Sequence, residues 1–321
     1  MDLLYLLVGL VVLFHLLAVV MILRGDADIL LQIKTKFGKS VKSLAGQVVW
    51  ITGASSGIGE ELAYELARAG CRLVLSARRT KELERVKKEC MLRGSVKDED
   101  ILILTLDCID FDSHKSAVDK VLAHFKKIDV LVNNAGRSQR AEWVKTGLQV
   151  DRDVLELNVL GVLSLTKLVL PHMADRRSGH IVNVSSIAGK LGAPLSGSYT
   201  GAKHAIQGWF DSLRVEMFDK NVSVTNICPG PVFSNILAVA FTENAGEELK
   251  SQMNPKETRM KTDRCAYLMG VAIANNMWEV WITNNPVLLF TYANQYMPNV
   301  TKWLSCRMGL KTIQKIREGQ N

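Results

Sequence analysis

The apolar positions of this chain fall into two regimes. Leu3 to Leu23 reads LLYLLVGLVVLFHLLAVVMIL, 21 residues without a charge and with only His15 as a strongly polar interruption. At about 1.5 Å per helical residue, that run can cross a hydrocarbon layer of about 30 Å. Beyond it, short runs that are apolar on both faces alternate with longer segments whose apolar residues recur at helical spacing. The short runs are QVVWITG (47–53), CRLVLSA (71–77), DILILTLD (100–107), IDVLVNNAG (128–136), GHIVNVSS (179–186) and VSVTNICPG (222–230), with WEVWIT (278–283) as a last one. Between them the spacing predicts helices over 57–69, 80–93, about 111–126, 150–173, 198–218 and about 263–277. Strands apolar on both faces and separated by helices imply a mostly parallel sheet covered on both sides. The expected fold class is α/β: a doubly wound sheet, preceded by an N-terminal transmembrane helix.

These patterns divide the chain into an anchor over 1–23, a basic linker over 24–45, an α/β domain over 46–285 and an apolar, helical tail over 286–321. Within the domain the periodicity weakens over 231–260, where such folds place a lid outside the carboxyl ends of the strands. A cleaved signal peptide, the alternative to an anchor, calls for a basic start and a small-x-small cleavage site; the chain starts Met-Asp and offers no good one. Arg24, Lys34, Lys36, Lys39 and Lys42 follow the span and place the domain in the cytosol by the positive-inside rule. The sequons at Asn183, Asn221 and Asn299 would matter only in a lumen, and Asn183 lies in a strand pattern. In the tail, Phe290, Tyr292, Tyr296, Met297, Trp303 and Met308 read either as core or a subunit contact, or as a surface that docks on the membrane.

With 321 residues, 48% of them apolar and 22% charged, the chain can bury a large core and is not of disordered composition. The net charge of +8 is spread without a run of five basic residues or interleaved aromatics, so nucleic acid is not an expected partner. Anionic phospholipid or a phosphorylated cofactor suits that charge better. The six cysteines (71, 90, 108, 228, 265 and 306) form no C-x-x-C and no Cys/His cluster, so no metal site is expected.

Candidate chemistry begins at WITGASSGIGEELA. Gly53, Gly57 and Gly59 stand where the first strand meets the first helix, and with Ser55, Ser56 and Ile58 they can bring backbone N–H groups to a pyrophosphate. Glycines needed only for packing would look the same. The turn lacks the Gly-Lys-Ser/Thr ending of a P-loop. GASSG also fits a nucleophile elbow with Ser55 as nucleophile, but a hydrolase of that kind needs a late histidine, and the last one is His204. The second strand ends at Ala77, Arg78 and Arg79, where a carboxylate would bind the ribose hydroxyls of NAD. Guanidinium groups match a 2′-phosphate instead, so the expected cofactor is NADP(H). Further on, Ser186 ends a strand and Tyr199 follows on the next helix, with Lys203 one turn later on the same face. An ammonium beside a phenol favours the phenolate, which makes Tyr199 a candidate acid–base group.

The ordered set TGASSGIG, Asp107, NNAG (133–136), LNVLG, VSSIAG, YTGAK and PGPV resembles the classical short-chain dehydrogenases/reductases, over roughly residues 46–285. The leading apolar segment and WITNNP before an apolar tail are similar to the membrane-anchored branch typified by 11β-hydroxysteroid dehydrogenase type 1. The resemblance implies a Rossmann-type sheet and hydride transfer with NADP(H), with Asn158, Ser186, Tyr199 and Lys203 as the catalytic set. Ser186 and Tyr199 would also meet the substrate, and Asn158 would hold a water in the proton relay. Asp107, Asn134, Ala135, Gly136, Pro229, Gly230, Val232 and Ser234 would join the glycine turn, Arg78, Arg79, Tyr199 and Lys203 around the cofactor. Asn134 would tie neighbouring strands. The family more often has threonine where Ser234 stands, and a serine hydroxyl can serve similarly. The expected protein is a reductase of hydrophobic carbonyls such as steroids, retinoids or quinones, anchored in the endoplasmic reticulum membrane. A homodimer is left open, and a cofactor-binding scaffold without important turnover is the alternative from another class.

Overall fold

Five consecutive buried residues, Val48–Thr52, form the first strand of the sheet. Their side chains alternate between two cores, Val49 and Ile51 in one, Val48 and Trp50 in the other. A strand buried on both faces requires cover on both, and the chain supplies it in sequence. The computed structural model describes residues 2–319; Met1, Gln320 and Asn321, which fall within the expected anchor and tail, lie outside the described residues. In chain order the elements are α1 (Asp2–Arg24), α2 (Ile29–Phe37), β1 (Val48–Thr52), α3 (Gly57–Arg68), β2 (Arg72–Ala77), α4 (Thr80–Arg93), β3 (Ile101–Thr105), α5 (Phe111–Phe125) and β4 (Val130–Asn133). They continue with α6 (Leu148–Leu155), α7 (Gly161–Asp175), β5 (Gly179–Val184), α8 (Gly197–Glu216), β6 (Val222–Pro229), α9 (Thr262–Ala274), β7 (Glu279–Ile282), α10 (Val287–Tyr296) and α11 (Pro298–Glu318).

The strands pair in parallel in the order β3-β2-β1-β4-β5-β6-β7. Leu62 and Leu66 of α3, Leu83 of α4 and Leu268 of α9 pack on one face. Val121 of α5, Val169 of α7 and Ile206 and Phe210 of α8 pack on the other. Strand order reverses between β1 and β4, so successive connections leave in opposite directions and open a crevice beyond the strands' carboxyl ends. This is the doubly wound architecture that the alternating pattern predicts.

Two differences from the sequence expectation have physical causes. The segment read as a basic linker, 24–45, is folded: Ala27, Leu31, Val41 and Leu44 are buried in the core that holds α9. Lys36, Lys39 and Lys42 are exposed between them, so its charge concealed an apolar face. Asp28 fixes α2, accepting from Leu31 N at 2.9 Å with one carboxylate oxygen and from Trp281 N of β7 at 2.9 Å with the other. Second, the helix expected over 150–173 is interrupted by a π-helical turn, Glu156–Leu160. The tail forms α10 and α11, and Asn294 of α10 donates to Lys190 O at 2.9 Å on the rim of the crevice.

α1 is exposed along its length and is long and apolar enough to cross a membrane. Carbonyls of its last turn lack helical partners and are met by side chains of the domain. Asn285 Nδ2 donates to Ile22 O at 2.6 Å and Leu23 O at 3.0 Å, and Gln32 Nε2 donates to Met21 O at 3.1 Å.

A buried amide ladder crosses the sheet beneath the crevice. Asn133 Nδ2 donates to Asn183 Oδ1 at 2.9 Å, and Asn183 Nδ2 donates to Asn226 Oδ1 at 3.1 Å. Asn183 is thereby committed inside the protein, out of reach as a glycosylation acceptor. On the same strands His180 is buried, its Nε2 2.7 Å from Thr225 Oγ1, whose hydroxyl donates to Met277 O. Burial pushes its imidazole down to about 4 from an ordinary value near 6.5. A base depressed in the fold stabilises it above its unfolded pKa, and that contribution is lost as pH falls through the folded value. Between pH 6.5 and 4 the protein should therefore lose about 3 kcal/mol through this residue. Chemical denaturation across that range is expected to show a clearly flatter pH dependence in His180→Gln.

Candidate active site

Close contacts between the chain ends of β1 and β4 frame the crevice. Gly53 leaves β1 with φ +66°, and a Cβ there would lie 2.9 Å from Ala135 Cα in the loop after β4. Such a conformation and such an approach both demand glycine. Thr52 Oγ1 accepts from the N–H groups of Asn134 at 3.0 Å and Ala135 at 3.1 Å. Asn134 Nδ2 donates to Thr52 O at 2.9 Å and Gly53 O at 3.3 Å. The loops after β1 and β4 are thus spliced across the reversal of strand order. Gly59 packs against this splice, where a Cβ would sit 2.5 Å from Asn134 Nδ2. Gly59 is not among the residues that line the crevice.

Above the splice lies a cavity of about 1060 Å³, whose wall includes Gly53, Ser55, Ser56, Gly57 and Ile58. Arg79 Nη2 donates to Ser55 Oγ and Ser56 Oγ, each at 3.0 Å. The Ser55 hydroxyl meets a guanidinium rather than an imidazole, which removes the basis for an elbow nucleophile. Arg78 stands beside it, 4.0 Å from Asp107 Oδ2. Two guanidinium groups, two hydroxyls and the N-terminus of α3 form a set that fits the phosphates of a dinucleotide. The loop after β6 completes this side: Pro229, Gly230, Val232 and Ser234 line the cavity, and a Cβ on Gly57 would come within 3.3 Å of Ser234 Cβ.

At the other end Ser186, Tyr199, Lys203 and Asn158 line the same cavity. Ser186 follows β5; its Oγ accepts from Ala188 N at 3.1 Å and reaches Pro229 O at 3.3 Å. Tyr199 and Lys203 are both buried on the first turns of α8. Lys203 Nζ donates to Val184 O at 2.8 Å and lies 5.6 Å from the centroid of the Tyr199 ring. Asn158 occupies the π-helical turn, a distortion frequent at functional sites, and its Nδ2 donates to Val154 O at 3.0 Å and Arg137 O at 3.1 Å. Its Oδ1 accepts from Arg137 N at 3.3 Å, and Gly136 runs between that oxygen and Lys203 Nζ.

The electrostatics depart from the expectation that Lys203 draws the phenol toward neutrality. Burial pushes the Tyr199 phenol above its ordinary value, opposed by a hydrogen bond with Ser186 and by the charge of Arg140. Burial likewise lowers Lys203 to about 8. Desolvation of the charged forms dominates both groups, because both side chains are enclosed by protein. The phenol is thus kept protonated, as a proton donor requires.

Several residues at this end escaped the sequence reading. Arg140 Nη1 donates to Gln139 O at 2.9 Å and Ser196 Oγ at 2.6 Å, tying the loop after β4 to the residue that precedes α8. Arg137 Nη2 pairs with Glu248 at 3.0 Å, and its guanidinium lies 3.9 Å from the centroid of the Phe241 ring, pinning the segment expected as a lid. Arg137 follows the NNAG run directly and Arg140 comes three residues later, a signal visible in the sequence. Phe290, read in the tail as core, subunit contact or membrane-docking surface, lines the cavity, as do Asn294 and Arg317, which carried no such signal.

Comparison with known proteins agrees with this geometry. The short chain dehydrogenase family model matches residues 47–245. Dehydrogenase/reductase SDR family member 7 of Homo sapiens is 47% identical over 321 residues, covering 99% of this chain and 94% of that protein. An alcohol dehydrogenase of the archaeon Thermococcus sibiricus, complexed with 5-hydroxy-NADP, superposes with a TM-score of 0.65 at 26% identity, over 74% of this chain and 97% of that one. A short chain dehydrogenase/reductase of Burkholderia phymatum, in complex with NAD, shares the fold with a TM-score of 0.69 at 24% identity, over 80% and 96% of the two chains.

The narrow passage at Gly136 is open to test. A methyl group there would lie 2.5 Å from Asn158 Oδ1. Gly136→Ala is expected to lower stability by about 1–3 kcal/mol in denaturant unfolding, as overpacking of a closed interior does.

Proposed function

The chain belongs to the short chain dehydrogenase family, and on that premise we propose that it is a membrane-anchored, NADP(H)-dependent reductase of hydrophobic carbonyl compounds, able to run in reverse as an alcohol dehydrogenase. One observation supports this reading above the rest. A single cavity brings Ser186, Tyr199, Lys203 and Asn158 together at one end and Arg78, Arg79, Ser55 and Ser56 at the other. A protein that only held a nucleotide would have no use for the first group.

Hydride donation to a carbonyl carbon is the chemistry that bound NADPH supplies. Asp107, Asn134, Ala135, Gly136 and the glycine turn would hold the dinucleotide, with Val232 and Ser234 at the nicotinamide carboxamide. Tyr199 gives its phenolic proton to the carbonyl oxygen as charge develops there, and Ser186 donates a hydrogen bond to the same oxygen. Enclosure of Tyr199 favours this direction by holding the proton until the oxygen becomes basic. Burial lowers the Lys203 amine to about 8, which still leaves it mostly protonated near neutral pH, so it stabilises the phenolate left behind and would contact the nicotinamide ribose. Asn158 holds the water through which the proton is restored.

NADP(H) rather than NAD(H) is supported by Arg79, a cation held at the glycine turn by its bonds to Ser55 and Ser56 and suited to a 2′-phosphate. The archaeal relative complexed with an NADP derivative is consistent with this choice. A hydrophobic substrate, of steroid, retinoid or quinone type, is supported by apolar side chains such as Ile236, Leu237 and Phe290 around the mouth. The exposed apolar α1 supports an anchor, in the endoplasmic reticulum membrane, with the basic residues that follow it favouring a cytosolic domain.

Tyr199→Phe should reduce carbonyl-dependent NADPH oxidation at least a hundredfold, the scale of a lost general acid, with NADPH affinity by fluorescence titration kept within about twofold. Turnover within tenfold of the wild type would remove the proposed acid. Arg79→Ala should cut the preference for NADPH over NADH in kcat/KM by at least tenfold, because the charge-assisted bonds to a 2′-phosphate are lost.

A further inference from the structure

The last helix is not continuous. α11 breaks at Gly309, whose φ of 74° and ψ of 166° belong to glycine alone, although a Cβ there would meet nothing within 4 Å. Glycine is needed at this point for direction and not for space. The arm beyond it turns back over the cavity, where Ile313, Ile316 and Arg317 form part of the wall.

Two polar latches hold that arm, each to a different side of the mouth. Arg317 donates to Pro194 O at 2.6 Å and Ser196 Oγ at 2.6 Å, in the loop that leads into α8. Gly319 O accepts from Thr258 N at 2.9 Å and Thr258 Oγ1 at 2.7 Å, in the segment between β6 and α9. From Lys302 to Gly319 none of the described side chains is fully buried, whereas α9 buries nine of its residues. Segments with few buried apolar contacts and solvent-near hydrogen bonds open at low cost relative to the core.

We propose that residues 310–319 form a hinged cover over the substrate end of the cavity, turning at Gly309 and latched by Arg317 to the loop that leads into the catalytic helix. Opening exposes the mouth between the 194–196 loop and Thr258. Closure places Ile313 and Ile316 against an apolar occupant and excludes water from the phenol of Tyr199. Arg317 is then a positioning residue, acting through Ser196 three residues before Tyr199. The cover favours bulky apolar substrates over small polar ones, because only the former fill the space beneath it. This selectivity rests on the reductase reading, while the hinge and latch themselves do not.

Two measurements on the full chain in detergent separate the parts. Hydrogen exchange of the free protein should find residues 310–319 exchanging faster than α9, and Arg317→Ala should accelerate 310–319 at least fivefold without moving α9. Kinetics with phenanthrenequinone as the bulky apolar probe and butanedione as the small polar one should find the ratio of their KM values rising about tenfold in Arg317→Ala and in Gly309→Ala. Arg317→Lys should recover part of that ratio. Exchange of the arm as slow as that of α9, or unchanged by loss of Arg317, would overturn the latch; an unaltered KM ratio would overturn the selectivity. Absence of any carbonyl-dependent NADPH oxidation in the wild type counts against the reductase reading alone, and the exchange result then decides the cover by itself.

Discussion

The structure depends on the splice between β1 and β4. A parallel sheet whose strand order reverses must part its connecting loops at that point, and the parting leaves backbone groups facing a crevice. Here Thr52 and Asn134 satisfy those groups mutually, with four hydrogen bonds across the gap. The same contacts set the spacing between the glycine turn and Ala135, and so the width of the cleft in which a dinucleotide would lie. Gly59 behind the splice and Gly53 within it are small because the two backbones approach so closely.

From that point the polar interior is continuous. Asn133, next to Asn134, starts the amide ladder through Asn183 to Asn226, which stiffens the floor under β4, β5 and β6. Buried polar groups are costly unless each finds a partner, and a ladder that satisfies them holds the strands in one register. Val184, at the end of β5, offers the carbonyl that receives Lys203 Nζ. The position of the candidate proton-transfer residues is therefore set by the sheet as much as by α8.

Around this rigid floor the chain arranges less constrained parts. Arg137 fastens the segment between β6 and α9, Arg140 fastens the entry to α8, and the two tail helices roof the remaining side. The end of α1 is also bound to the domain, through Asn285 and Gln32, so the apolar helix leaves it in a defined direction rather than from a slack tether.

Much of this was legible in order and spacing. Strands buried on both faces cannot hide their apolar runs, and TGASSGIG, NNAG and YTGAK owe their legibility to local geometry: a turn, a close approach, one face of one helix. The folded nature of 24–45 was not legible, because Leu31 and Leu44 acquire meaning only against α9 and the sheet. Nor was the balance of charge at Tyr199 and Lys203, since adjacency on a helix says nothing about how completely both are removed from water. The sequence by itself determined the parallel α/β architecture and the glycine turn, loop and helix face that meet at its crevice. Tertiary structure alone decided that Gly59 comes up against the Asn134 side chain, that Arg317 reaches Ser196 from 121 positions away, and that burial governs the acid–base pair. Local pattern can encode conformation, but desolvation and long-range contact exist only once the chain has closed on itself.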